Sequence, residues 1–161
     1  MPTLFKRALW LILLLANTTI HAQAQTPYLI VTGDVTTPLM MSEADFKALP
    51  RSSVTVTDAS GKKTVYAGVG LADILTKAGV PLKGNLKGAD AAKYLGAVSG
   101  ADGFIAVFAL PEFDQGTFLV ADTADDTPLP SGTGPLQIIS PNETRHSRWV
   151  KQLTLLRIGR L

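Results

Sequence analysis

Cysteine is absent from this 161-residue chain. Its absence excludes disulfides, thiolate zinc sites, iron–sulfur clusters, attached c-type haem and a cysteine nucleophile. Histidine is almost as scarce, since His21 and His146 are the two present. His21 falls within the first 24 residues, and without that segment one histidine remains, so a site with several histidine ligands is excluded as well. A chain without disulfides must be stabilised by its hydrophobic core, and this length permits one domain with an adequate core.

An excess of charge of one sign is also missing. The chain has 15 basic and 13 acidic residues, and without Lys6 and Arg7 the two totals are equal at 13. No stretch has the density of Lys and Arg that binding along nucleic-acid phosphates requires. We therefore expect no nucleic acid among the partners.

The first 24 residues have the pattern of a secretory signal. A short basic region precedes an apolar run at 8–16, and the Ala-Gln-Ala of 22–24 supplies the small residues that a signal peptidase accepts. A membrane anchor is the alternative, but a spanning helix needs about 20 apolar residues and Asn17 interrupts this run. We expect cleavage after residue 24, a periplasmic or secreted protein, and no membrane association after cleavage.

The remaining chain, 25–161, is predicted to be a single α+β domain. One short helix is predicted from Ser42 and Asp45, which form a capping-box pattern before Phe46. A second is predicted where Leu71, Ile74, Leu75 and Ala78 follow helical spacing. Eight β-type runs occupy 28–35, 53–57, 62–67, 94–99, 104–109, 117–122, 136–140 and 153–158. Without sustained alternation of strand and helix, we expect a compact mixed β-sheet core with two short helices.

Two stretches of the chain are rich in glycine, and the second is also rich in proline. Gly68-x-Gly70 has Asp73 where a nucleotide-binding loop has its third glycine, so we assign it to a tight strand-to-helix turn. The segment 123–135 contains three prolines and two glycines and is predicted to be a long loop. Loops of this length are often functional.

The densest group of functional side chains is formed by Arg145, His146, Arg148 and Trp149. Guanidinium groups suit bidentate recognition of anions, and an imidazole adds a donor whose charge can change. In helical geometry Arg145 and Arg148 would lie side by side. This predicts an anion- or ligand-binding face. The alternative is that the arginines pair with surface carboxylates and that Trp149 fills the core.

Four segments occur in the order seen in the sulfite-oxidase-like fold, the molybdopterin-binding oxidoreductase domain. They are YAGVGLADILTKAGV (66–80), SGADGFIAVFALPEF (99–113), FLVADTADDTPLP (118–130) and GPLQIISPNETRHSRWVKQLTLLRI (134–158). The chain resembles a short, exported member of this family. The resemblance implies that the segment with His146 lies at the mouth of a cofactor site, where basic residues meet phosphate or an oxyanion.

The resemblance also identifies a missing group. In the catalytic family a cysteine thiolate ligates molybdenum at the end of the strand that precedes the stretch matching 67–69. Thr57 and Asp58 stand in that region of this chain. A hydroxyl or carboxylate is a poor replacement for a soft thiolate. We therefore expect no cofactor and no metal site, with bound molybdopterin as the alternative.

Two further carboxylates are candidates beside the cluster. Asp102, which precedes Gly103, has the pattern of a turn, but the resemblance also allows it to orient a basic residue in the pocket. Asp122 ends a predicted strand beside the long loop and has the same two interpretations.

The sequence predicts an exported, non-catalytic binding domain. It would hold a small anionic or aromatic ligand, or a periplasmic protein partner, in the remnant of the cofactor cleft. The predicted ligand-binding residues are Arg145, His146, Arg148, Trp149, Asp102 and Asp122. Two alternatives remain, a molybdopterin-dependent oxidoreductase and a protein-interaction module without a small ligand.

Overall fold

The structure is a computed structural model that describes residues 26–115, 117–143 and 146–160. The predicted signal segment and the candidate residue Arg145 lie outside the described residues. Among those that are described, no helix is both long and apolar enough to cross a membrane.

Ten strands and three short α-helices form the described part of the chain. The strands are β1 (Leu29–Gly33), β2 (Leu39–Met41), β3 (Arg51–Thr57), β4 (Lys63–Gly70), β5 (Tyr94–Ser99), β6 (Ile105–Ala109), β7 (Leu119–Ala124), β8 (Thr127–Pro128), β9 (Gln137–Ile139) and β10 (Leu153–Gly159). The α-helices are α1 (Glu43–Lys47), α2 (Leu71–Lys77) and α3 (Glu112–Gln115). Two 3₁₀ helices span Gly88–Ala92 and His146–Arg148.

The strands form two five-stranded sheets. The first has the order β2-β1-β10-β5-β6, in which β1 and β10 are parallel and every other pair is antiparallel. The second has the order β3-β4-β7-β8, and β9 also pairs with β7. The predicted mixed sheet core is therefore divided between two sheets, which is the α+β class expected from the sequence.

The hydrophobic core has two parts, on opposite faces of β7. Val120 points into the larger cluster, which combines both sheets with Phe46 of α1 and the apolar face of α2. Leu119 and Ala121 point the other way, into a smaller cluster that contains Trp149. Side chains alternate between the faces of a strand, so β7 contributes to both clusters. Trp149, which lies between β9 and β10, therefore packs on the face of β7 that is turned away from the larger cluster.

The predicted helices are confirmed, together with the side chains that define them. The hydroxyl of Ser42 accepts a hydrogen bond from the backbone N–H of Asp45 at 3.1 Å, and the Asp45 carboxylate accepts one from the Ser42 N–H at 3.0 Å. Leu71, Ile74 and Leu75 are fully buried. Each helix therefore begins and packs as its sequence indicates.

The predicted loop 123–135 is shorter in the structure. Strand β7 continues to Ala124, and a two-residue turn leads directly into β8. The turn residues Asp125 and Asp126 have φ angles of 48° and 59°. Aspartate tolerates this left-handed region better than most residues, and two such residues form the tight turn of a β-hairpin. The prolines and glycines of this segment are typical of a loop, so the sequence did not predict the hairpin.

Candidate functional site

Trp149 anchors the segment between β9 and β10. Its side chain is 6% exposed and packs in the smaller core cluster. The indole Nε1–H donates to the backbone oxygen of Ser140 at 3.2 Å, and the ring meets Tyr66 edge-on with centroids 5.7 Å apart. A buried indole N–H needs such an acceptor. Trp149 is therefore a core residue, as one of its two interpretations predicted.

His146 lies on the outer side of this tryptophan. The two rings are stacked, with centroids 3.8 Å apart and an interplanar angle of 14°. His146 begins the 3₁₀ helix, and the Trp149 N–H donates to the His146 carbonyl oxygen at 3.1 Å. Side chains three residues apart eclipse each other in a 3₁₀ helix. The helix thus places an exposed imidazole against a buried indole.

Arg148 faces different neighbours. Its guanidinium donates to both carboxylate oxygens of Glu112, at 3.3 and 3.0 Å, and also to Glu143. The guanidinium carbon lies 4.5 Å from the ring centroid of Phe108. The hydrogen bonds that Arg148 donates to Glu112 raise the pKa of Arg148, although desolvation opposes them. Two carboxylates therefore offset the charge of Arg148.

These contacts correct the prediction for the basic cluster. His146 contacts Trp149, whereas Arg148 is bound to Glu112 and Glu143, so the two side chains do not form one free cationic face. Residues two apart in a 3₁₀ helix point in different directions. Arg145, the third predicted member, lies outside the described residues.

A cleft of about 620 Å³ lies beside the imidazole. Its walls come from the end of β3 with the following turn, and from the segment after β9; the lining residues are Val56, Thr57, Asp58, Ala59, Pro141, Asn142, Glu143 and His146. Two carboxylates thus line the cleft, and the basic side chain among these lining residues is His146. The tertiary structure joins Thr57 and Asp58 to the segment that contains His146, although these parts are far apart in sequence.

Comparison with solved structures decides the fold. The chain is similar to the sulfane dehydrogenase SoxCD from Paracoccus pantotrophus, with a TM-score of 0.64, 21% sequence identity and coverage of 81% of this chain. The fold is sulfite-oxidase-like. The match spans 37% of that chain's length, and at this identity the likeness concerns the fold. No family model and no curated protein matches the sequence.

The cleft does not fit the thiolate-ligated molybdenum that the catalytic members of the sulfite-oxidase-like fold hold. In the region where the catalytic members have their cysteine ligand, this chain has the hydroxyl of Thr57 and the carboxylate of Asp58, and the chain contains no cysteine. One oxygen of Asp58 already accepts hydrogen bonds from Ser60 N–H, Ser60 O–H and Lys62 N–H. These bonds, the one from the Ser60 side chain above all, lower the pKa of Asp58. Within the described ranges, no three His, Cys, Asp or Glu residues are grouped as metal ligands.

Asp102 and Asp122 do not line this cleft. The Asp102 carboxylate accepts the backbone N–H of Phe104 at 3.0 Å, and this bond, followed by one from Ser99, lowers its pKa. Asp102 thus stabilises a turn. Asp122 is 7% exposed and accepts two hydrogen bonds from Arg51, at 3.0 and 2.5 Å. It holds β3 to β7, and its prediction as a ligand contact has no support in this geometry.

Sequence reasoning missed Glu112 and Glu143, two carboxylates that determine the character of the site, and assigned no ligand contact to a third, Asp58. Glu143 stands two residues before Arg145 in the predicted cluster, so its proximity was visible in the sequence. The resemblance placed Asp58 in the cofactor region, but Asp58 was not among the predicted ligand-binding residues. Glu112 is 36 residues from Arg148, and no local pattern connects them. Pairing of the cluster with carboxylates could be proposed from the sequence, but the partners could not be named.

Proposed function

We propose that this chain is a non-catalytic binding domain of sulfite-oxidase-like fold, and that it holds a small planar aromatic ligand in the cleft beside His146. The observation that supports this proposal is the stacked pair of His146 and Trp149, 3.8 Å apart. The buried indole holds the imidazole in one orientation, and the exposed face of the imidazole is available for a second ring. Stacking on such a platform is favourable for any flat π-system.

The charges of the site favour an aromatic ligand over a small anion. Arg148 is neutralised by Glu112 and Glu143, and Glu143 and Asp58 line the cleft itself. An anion would face two carboxylates there, at an energetic cost. A heteroaromatic ring with N–H groups on its edge would instead donate hydrogen bonds to those carboxylates, which are strong acceptors.

The dimensions of the cleft agree with a ligand of this kind. Small-molecule sites usually measure about 300–1,000 Å³ and combine apolar walls with a few polar groups. This cleft measures about 620 Å³, with Val56, Ala59 and Pro141 as apolar walls and Asn142 as an additional polar group. The ligand would lie between the end of β3 and the His146 ring.

Tryptophan fluorescence provides a direct test. The chain has two tryptophans, of which Trp10 lies in the predicted signal segment. In protein exported with its own signal, we expect the emission to report on Trp149 alone. A pterin, a purine and an indole should be titrated against sulfate and phosphate at matched ionic strength. We expect saturable quenching by at least one aromatic probe and none by the anions.

Two variants locate the binding. His146→Ala removes the stacking platform and should weaken aromatic binding by about tenfold or more, since one stacked ring contributes about 1–3 kcal/mol. Lys151→Ala changes a nearby exposed residue that does not line the cleft and should have no effect. Binding of sulfate or phosphate with loss in Arg148→Ala would favour an anionic ligand and contradict the proposal.

The alternative of a molybdopterin-dependent oxidoreductase has a separate test. The hydroxyl of Thr57 and the carboxylate of Asp58 argue against it, because they are poor replacements for a thiolate ligand. Metal analysis of protein purified from its native host should therefore find no stoichiometric molybdenum or tungsten. A stoichiometric amount of either metal would overturn the non-catalytic assignment.

A further inference from the structure

Strand β6 is an exposed apolar edge. It pairs with β5 on one side, and among the described residues no strand pairs with its other side. Among all the residues that the structure describes, five large hydrophobic side chains are exposed, and three of them lie on β6 or directly before it: Phe104 at 45%, Ile105 at 55% and Val107 at 55%. The segment 103–111 (GFIAVFALP) contains no charged residue. Proteins usually protect an exposed edge with charge or proline inside the strand, and here both are missing.

The hydrogen bonds to β5 define which backbone groups face the open side. The Phe104 carbonyl oxygen accepts the Ser99 N–H at 2.9 Å, and the Leu110 N–H donates to the Lys93 oxygen at 3.0 Å. Residues of an antiparallel strand bond alternately to one side and the other. Positions 104, 106, 108 and 110 therefore face β5, and positions 105, 107 and 109 direct their N–H and C=O groups to the open edge.

Glu112 limits the length of this edge. Its carboxylate oxygen Oε1 accepts the backbone N–H of Ala109 at 2.7 Å, so that donor is already occupied. The same carboxylate binds Arg148. The complete donor–acceptor pairs left on the edge are those of Ile105 and Val107.

We propose that β6 pairs with β6 of a second copy of this chain, antiparallel and about a two-fold axis, with Ile105 opposite Val107 of the other copy. In this register the N–H and C=O groups of both residues bond across the axis, giving four hydrogen bonds for the two copies. The two Ala106 residues face each other at the centre. The register that centres on Val107 would instead require the Ala109 N–H, which Glu112 holds.

The edge is self-complementary, and this favours a second copy over an unrelated strand. A two-fold interface brings the same surface together from both molecules, so a charge near the axis would meet itself. The sequence Ile105–Ala109 is IAVFA and has no charge to repel. The side chains of Ile105 and Val107 from both copies would then form one apolar patch on the outer face of a ten-stranded sheet.

The dimer should be weak and dependent on concentration. A short edge contact buries far less than the roughly 1,200–2,000 Å² of a standard stable interface. Sedimentation velocity of the exported protein over a wide concentration range should show a reversible monomer–dimer equilibrium. A protein that stays monomeric up to millimolar concentration would overturn the proposal.

Two single variants test which edge is used. Val107→Pro removes a donor on the open side and leaves the bonds to β5 intact, as an edge strand tolerates. Since it eliminates two of the four proposed hydrogen bonds, the association constant should fall by more than about tenfold. Met40→Lys changes a 74%-exposed residue on β2, the opposite edge of the same sheet, and should leave association unchanged. A dimer that survives Val107→Pro, or that Met40→Lys dissociates, would refute pairing through β6.

Two double variants test the register. With Ile105→Lys and Val107→Glu together, each introduced lysine lies opposite an introduced glutamate, so the dimer should persist and become sensitive to salt. With Ile105→Lys and Val107→Lys together, like charges oppose each other and the dimer should be lost. Equal behaviour of the two would exclude the register. Equal unfolding midpoints of the monomers would verify that both variants fold.

Amide hydrogen exchange on the wild type tests the pairing without any substitution. Protection of the Ile105 and Val107 amides should rise with protein concentration, because they are bonded in the dimer alone. Protection of the Ala109 amide should stay constant, because Glu112 holds it in both states. Dimerisation without rising protection at positions 105 and 107 would assign the contact to another surface, and the proposal would be wrong.

Discussion

Replacing Gly68 by alanine should force two strands of the second sheet apart. Gly68 lies in β4 opposite Ala121 of β7, at the point where the register between these strands shifts. A Cβ atom at this position would lie 2.0 Å from the Val120 carbonyl oxygen and 2.6 Å from the Ala121 Cα. The backbone angle φ of Gly68 is not positive, so the cost comes from the contact and not from the backbone conformation.

The size of the stability loss in Gly68→Ala follows from the displacement that the new Cβ atom requires. Real Cβ atoms essentially never lie closer than 3.0 Å to another heavy atom, whereas this one would lie 2.0 Å from the Val120 oxygen. One strand must therefore move by at least the difference, about 1.0 Å. Such a shift weakens about two hydrogen bonds of the ladder, at about 1 kcal/mol each. It also displaces the fully buried Val69 and Val120, and overpacking of a core costs about 1–3 kcal/mol. We expect a loss of about 3–5 kcal/mol, a large part of the roughly 5–15 kcal/mol that stabilises a domain.

Urea denaturation followed by Trp149 fluorescence measures this loss. Gly132→Ala is the matched control, since a Cβ there meets no atom within 4 Å and φ is not positive. The control should be as stable as the wild type or slightly more so. If Gly68→Ala costs less than about 1 kcal/mol, β4 and β7 are not as close as described, and the reasoning fails.

Three more perturbations have defined outcomes. Leu75→Ala should cost about 2–5 kcal/mol in denaturant titration, because the side chain is fully buried; a cost below about 1 kcal/mol would mean that α2 does not pack on the sheets. Arg51→Ala leaves the buried Asp122 carboxylate without its partner and should cost about 2 kcal/mol or more, whereas Lys47→Ala, at an exposed pair, should cost about 0.5 kcal/mol or less. Equal stability losses in the two variants would show that Arg51 does not stabilise the buried Asp122 carboxylate. Burial, assisted by the nearby Asp122 charge, raises the pKa of Tyr28 to about 12, above its unfolded value of about 10. Its contribution to stability is therefore complete below pH 10 and lost between about pH 10 and 12; unfolding free energies that fall equally steeply in wild type and Tyr28→Phe over this range would contradict the assignment.

Local patterns predicted the elements well where the interactions are local. The capping box of Ser42 and Asp45, and the apolar face that includes Leu75, depend on residues within one or two turns of helix. Such signals are complete in the sequence. The hairpin at Asp125 and Asp126 was missed because proline and glycine nearby indicate a loop, whereas two left-handed aspartates can form a tight turn.

Gly68 shows a case in which the local interpretation was incomplete. Its position before α2 suggested a strand-to-helix turn, but the structure shows that the absence of a side chain there is required by the approach of β7. Val120 is more than 50 residues away in sequence. A contact across such a distance leaves no periodic signal.

The absence of a thiolate ligand and, through a family resemblance, the sulfite-oxidase-like fold could both be read from the sequence. The sequence also indicated that the segment with His146 and Arg148 would be central to the site. The missing thiolate follows from composition and the α+β class from strand and helix periodicity, whereas the sulfite-oxidase-like fold was implied by the resemblance of four segments in order along the chain. The tertiary structure was needed to show that Glu112 reaches Arg148 and that Asp58 and Glu143 line the same cleft as His146. The charge of a site is the sum over all side chains that the fold assembles there, and the carboxylates of Glu112 in α3, Asp58 after β3 and the nearby Glu143 offset the cationic character that the local cluster suggested.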